Sequence, residues 1–124
     1  VGKRATRKDF ETFKEAFALW GVVLGLQDWA VSYQFTALPA HAKVSYDTAS
    51  RIVLVTFSNS YAVSKESIRY IAAHEAVHLA LADFSICARD RFMDEYQLDR
   101  EEEAVVMRFE NLIIYLENKL REEK

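Results

Sequence analysis

Hydrophobic positions along this chain recur at two different periods, and the places where the period changes divide it into elements. From Lys8 to Leu26, Phe10, Phe13, Phe17, Trp20 and Leu24 recur at spacings of three and four, the period of one helix face. Gly25 stands near the end of this leading helix, and Gly21 marks a place of close packing. At Asp28 the period drops to two. Trp29, Val31, Tyr33 and Phe35 alternate with polar or small residues, the pattern of a half-buried strand, and Pro39 ends it. Two further strands are predicted at 42–47 (AKVSYD) and 51–57 (RIVLVTF). The short DTAS stretch between them predicts an antiparallel hairpin, and the continuous apolar run of the third strand places it inside the sheet.

The helical period returns after Ser64, a good N-cap followed by Glu66 in the first turn, and is expected to hold until about Asp83. Residues 84–98 show weaker periodicity and read as a connection with at most a short helix, crossing in front of the preceding helix. A last helix is predicted over 99–121. Val105, Val106, Phe109, Leu112, Ile113, Leu116 and Leu120 share one face of it, with Phe109 at the centre of the stripe. The class is therefore α+β, with a leading helix, a small three-stranded mixed or antiparallel sheet and two principal helices after it. No repeat, low-complexity stretch or linker divides residues 1–124, so one domain is expected.

Composition narrows this picture. At 124 residues and 51% hydrophobic content the chain can bury a real core. A net charge of −3 and a basic cluster confined to residues 2–8 argue against nucleic-acid binding. The single Cys87 permits neither an internal disulfide nor a cysteine metal site. No apolar run approaches the ~18 residues of a membrane span, and no signal peptide is visible. A soluble, cytoplasmic protein with no membrane partner is expected.

The candidate chemistry lies in IAAHEAVHLALA, residues 71–82, where His74, Glu75 and His78 spell H-E-x-x-H. Positions i and i+4 of a helix share a face, so the two imidazoles can converge on one zinc ion. Glu75, one residue along, can take a proton from a water held by that metal. Two such histidines also occur as ordinary half-buried residues. Yet two of the chain's three histidines fall in this motif, and a carboxylate on so apolar a helix needs a partner.

A catalytic zinc needs a third protein ligand. A histidine further along the same helix is excluded, because Leu81 and Phe84 occupy the corresponding positions, and His41 lies upstream near a strand start. Glu101, Glu102 and Glu103 of the last helix remain. Relative to Phe109, Glu102 lies about 20° from the stripe centre, and Glu101 and Glu103 about 80° and 120° away. The phase favours Glu102; a shift in helix boundary or phase leaves Glu103 as the runner-up and Glu101 third. Tyr96 and Tyr70 are candidate donors to a reacting oxygen, and Asp83 or Asp99 candidate acceptors for the histidines' second nitrogens.

With H74-E75-A76-V77-H78 on one helix and E102-E103-A104-V105-V106 on the next, the chain resembles a zincin metallopeptidase of a minimal gluzincin type. It is similar to small single-domain zincin-like proteins of phages and prophages, and more distantly to the ImmA/IrrE and SprT-like groups. The resemblance implies zinc on His74, His78 and a glutamate near 102, with Glu75 as general base and a peptide or protein as substrate. It also implies that a strand beside the active-site helix, Arg51 to Phe57 being the expected one, receives an extended peptide by strand addition. Two alternatives stay open: a non-catalytic zinc-containing binding module, and a metal-free module whose last helix dimerises through Phe109 and its neighbours.

Overall fold

The computed structural model describes residues 4–91 and 94–122. Its elements run α1 (Arg7–Val23), β1 (Ala30–Thr36), β2 (Ala42–Asp47), β3 (Ile52–Ser58), α2 (Lys65–Ala80), α3 (Ala82–Asp90) and α4 (Glu95–Glu122). The class is α+β, with four helices and a three-stranded mixed sheet.

Helix α1 starts with a capping box. The Thr6 hydroxyl accepts from the Asp9 amide while the Asp9 carboxylate accepts from the Thr6 amide, satisfying two donors that a helix start leaves free. It stops at Val23, three residues before the predicted end. Gly25 there adopts φ 71°, a left-handed conformation that costs glycine nothing, and the Leu26 amide closes back onto the Gly21 carbonyl at 2.7 Å.

The strand order is β1-β3-β2. β3 pairs parallel with β1 and antiparallel with β2, so the hairpin and the interior placement of the third strand hold. Because β3 is paired on both sides, it offers no edge to an added peptide strand; within the sheet β2 is the edge strand next to it. The expectation that Arg51 to Phe57 receives a peptide is corrected accordingly.

Helices α1 and α2 cover one face of the sheet. Phe13 stacks on Phe57 with ring centroids 4.7 Å apart, and Phe10 on Phe35 at 5.0 Å. Ile68, Ala72, Ala76 and Leu79 of α2 complete this core. Offset aromatic pairs of this kind add about 0.5–1.5 kcal/mol each beyond their buried area. The small side chains of α2 let neighbouring backbones come close. Its other flank, Ala73 and Val77, packs on Val106 and Ile113 of α4.

Ser64 caps α2 by accepting from the Ser67 amide at 3.1 Å. The helix ends at Ala80 rather than Asp83. α3 then leaves at an angle of 47°, so most of the expected connection is helical. Phe92 and Met93, within that connection, lie outside the described residues. α4 begins at Glu95, four residues early. Among the described residues no single helix is long and apolar enough to cross a membrane; the bent pair α2–α3 approaches that length, but α2 is largely buried in the core.

Candidate metal centre

His74 and Glu75 sit side by side in the second half of α2, and His78 one turn further on in its last turn, where the helix passes between the sheet layer and α4. The i, i+4 spacing does what the sequence predicts. The two rings lie 4.9 Å apart, and their Nε2 atoms face each other at 3.3 Å. Glu103 of α4 closes the group: one carboxylate oxygen is 2.7 Å from Nε2 of His74 and the other 3.1 Å from Nε2 of His78. Among the described residues these three side chains form a group able to hold a metal ion, with one donor atom from each within 4.8 Å of the others.

Behind each ring stands a second carboxylate. Nδ1 of His74 is hydrogen-bonded to Glu110 at 3.1 Å, and Nδ1 of His78 lies 3.5 Å from Glu102. A proton held at Nδ1 by a carboxylate leaves the Nε2 lone pair free, which is the tautomer a metal requires. Glu102 is itself fixed by a hydrogen bond donated from the hydroxyl of the fully buried Ser85 on α3.

The glutamates therefore do not take the places their phase suggested. Glu102 points inward but reaches the back of His78, and Glu103 is the carboxylate at the shared Nε2 position. Glu101 lies exposed and away from both rings. The rotation of α4 and the place of the histidines on one flank of its contact together account for this. Phe109, taken as the centre of the buried stripe, is 45% exposed, whereas Val106 and Ile113 are buried against α2. Moving the centre from Phe109 to Ile113 turns the helix by about 40°. That rotation brings Glu103 from about 120° to about 80° of the centre and leaves Glu102 about 20° from it, and the histidines stand on the flank of the contact that Glu103 and Glu110 share.

Glu110 has no place in the sequence reading. A signal was present: Glu103, Val106, Glu110, Ile113 and Glu117 form an unbroken row at spacings of three and four, with carboxylates at alternate places. Carboxylates at alternate places beside two buried apolar residues, Val106 and Ile113, call for basic or metal partners along the row. The remaining candidates are elsewhere. Asp83 pairs with Arg51 and Asp99 with Arg89. Tyr96 is 74% exposed, and the Tyr70 hydroxyl donates to Glu66. His41 stacks edgewise against Tyr61.

The histidines, Glu75, Glu102 and Glu103 line a cavity of about 550 Å³. Its opposite wall comes from β2, through Lys43, Val44 and Tyr46, with Ile86 and Arg89 of α3 alongside. Burial is the chief influence on Glu75, which is 7% exposed, and raises its carboxyl above the usual range against the opposing pull of His78 and His74. At His74 burial pulls the pKa down, but the hydrogen bond to Glu110 and the charges of Glu75, Glu103 and Glu110 outweigh it and raise the imidazole overall. The Tyr46 phenol is raised, mainly by burial.

No protein-family model matches this chain, and no curated protein or solved structure matches it.

Proposed function

We propose that this protein is a zinc-dependent metallopeptidase with a zincin-like fold of minimal gluzincin type, its zinc held by His74, His78 and Glu103. One observation carries the reading: two Nε2 atoms converge on a carboxylate while each Nδ1 is backed by another carboxylate. The donor set fits a tetrahedral zinc. Ligand distances of about 2.0–2.1 Å put tetrahedral donors about 3.3 Å apart, and the two Nε2 atoms are 3.3 Å apart. Two Nε2 lone pairs at that distance repel unless a metal ion, or a proton on one of them, lies between.

When bound, zinc would supply Lewis-acid polarisation of a carbonyl and acidify a coordinated water. The chain's own residues supply the rest. Glu75, buried in the cavity wall and with a raised pKa, is suited to take a proton and return it to a leaving amine near neutral pH. β2, with its second edge unpaired in the sheet, can hold an extended peptide along the cavity by strand addition. The Tyr46 hydroxyl, in the same wall, is the tyrosine placed to donate to a developing oxyanion.

The test is zinc content and peptide hydrolysis measured on the same preparations. Wild type is expected to bind about one zinc per chain, and His74→Ala, His78→Ala and Glu103→Gln to lose most of it. Glu75→Gln should keep the metal and lose hydrolysis by roughly a hundredfold or more, the scale of a missing general base. A Glu75→Gln variant as active as wild type would remove the catalytic reading and leave a zinc-containing binding module, the alternative this arrangement also accommodates.

A further inference from the structure

Helix α4 has two working faces, and the metal centre uses one of them. Measured from Ile113, Glu110 and Glu103 lie about 60° and 80° to one side, while Phe109, Leu116 and Leu112 lie about 40°, 60° and 100° to the other. That second face borders an apolar trough of about 500 Å³ between α1 and α4. Leu19 and Val23 of α1 and Phe109, Leu112, Leu116 and Leu120 of α4 line it, each 45–62% exposed. Its one charged lining residue, Glu117, is within 4.0 Å of Arg69 and Arg121. The trough holds no convergent set of polar groups of the kind that orients a small ligand.

We propose that this face is a homodimer interface, in which α4 of a second copy lies antiparallel in the trough. Three observations support a second copy as the occupant. The residues that line the trough on α4 are also the ridge that would fill it, so the surface is self-complementary about a two-fold axis. With an axis midway between Phe109 and Leu112, Phe109 faces Leu112 of the second copy and Val105 faces its Leu116, which makes consecutive apolar layers.

In that same register the charges agree. Glu101, exposed and with no ion pair among the described residues, comes level with Leu120 of the second copy and one residue from its Lys119, both charges lying about 120° from Ile113 on the same flank. Lys119 makes a 3.7 Å contact with Glu122 at the helix end and lies 5.7 Å from the Tyr115 ring centroid. Arg108, exposed and without an ion pair among the described residues, comes beside the exposed Tyr115 of the second copy, a cation–π pairing. The extent is also right. Six half-exposed side chains with the flanking Val105 and Tyr115 amount to on the order of 700 Å² per copy, near the ~800 Å² of a standard interface.

The proposal is independent of the metal reading, and its test runs in chelator as well as in zinc. Sedimentation velocity of the whole chain over roughly a hundredfold range of concentration should give a monomer–dimer equilibrium. Leu112→Glu, at an exposed position, should be monomeric throughout with unchanged circular dichroism. Glu101→Lys and Lys119→Glu alone should each weaken dimerisation about tenfold at low salt, and the double exchange should recover it. The double exchange decides the matter even if Leu112→Glu folds poorly. A wild-type monomer at every concentration, or charge exchanges without recovery, would overturn the proposal and leave the face to a different partner.

Discussion

His74 is held from both sides, by Glu110 at Nδ1 and by Glu103 at Nε2, and these two carboxylates do different work. Glu103 shares its site with the second histidine, so its removal takes away a donor. Glu110 touches only the back of one ring, where it fixes the tautomer and makes Nε2 a better base. Glu110→Gln keeps a hydrogen-bonding group and is expected to weaken zinc affinity about 10–100-fold without abolishing binding. Glu103→Gln should weaken it further, and Glu102→Gln, behind the more distant contact at His78, less than either. Competition against a chromophoric chelator measures all three. If Glu102→Gln proves the most damaging, the ligand is Glu102 after all and Glu103 is not at the metal.

Among the elements, one side chain ties the residues ahead of β1 and the β2–β3 turn to α3. Arg51 turns out of the hairpin at φ 58°, a left-handed conformation unfavourable for a residue with a Cβ. Its Nη1 donates to both oxygens of Asp83 on α3 at 2.7 and 3.0 Å, and its Nε to Asp28 ahead of β1 at 3.0 Å. The guanidinium lies over Trp29, 4.2 Å from the ring centroid. The hydrogen bond from Arg51 chiefly lowers the Asp28 pKa below 3.8, its ordinary value. A folded pKa below the unfolded one stabilises above the unfolded value, and that stability is lost as pH falls through the folded pKa. Asp28→Asn should therefore be less stable than wild type at neutral pH, and the two urea midpoints should converge in strong acid. Midpoints that differ equally at both pH values would show that the carboxylate's charge is not what Arg51 uses. The local pattern of this region was readable: alternation at Trp29, Tyr33 and Phe35, the DTAS turn, and the interior third strand are properties of neighbours in sequence. The parallel pairing of β1 with β3 and the phase of α4 were not. The apolar residues of α4 span an arc wider than one contact, so periodicity alone could not say which part faces α2. Ala73 and Val77 decide it from another helix, by the room they leave for Val106 and Ile113.

Over the whole molecule, packing is unevenly distributed, and the candidate metal centre lies outside the main apolar core, at the contact of α2 with α4. The sheet with α1 and α2 holds the stacked phenylalanines and most of the buried apolar side chains. α4 joins α2 through two buried apolar residues, Val106 and Ile113, set among Glu103, Glu110 and Glu117. Glu117 is paired with Arg69 and Arg121, but among the described residues Glu103 and Glu110 have only the histidines as partners, so without a cation between them this part of the α2–α4 contact is a weak one. A zinc ligated by both helices would convert binding free energy directly into docking of α4. At free zinc about a hundredfold above its dissociation constant the gain is about 2.7 kcal/mol, or roughly 10 °C in Tm for a chain of this size. Chelation of the zinc-loaded protein should lower Tm by about that amount, and His74→Ala should show no response to zinc or chelator. Hydrogen exchange locates the effect. Amides of α4 should exchange faster after chelation while those of β3 and α1 keep their protection, because the phenylalanine core does not depend on the docked helix. Uniform loss of protection across both layers would mean that α4 and the sheet unfold as one unit, and that zinc stabilises the whole fold rather than the contact between two helices.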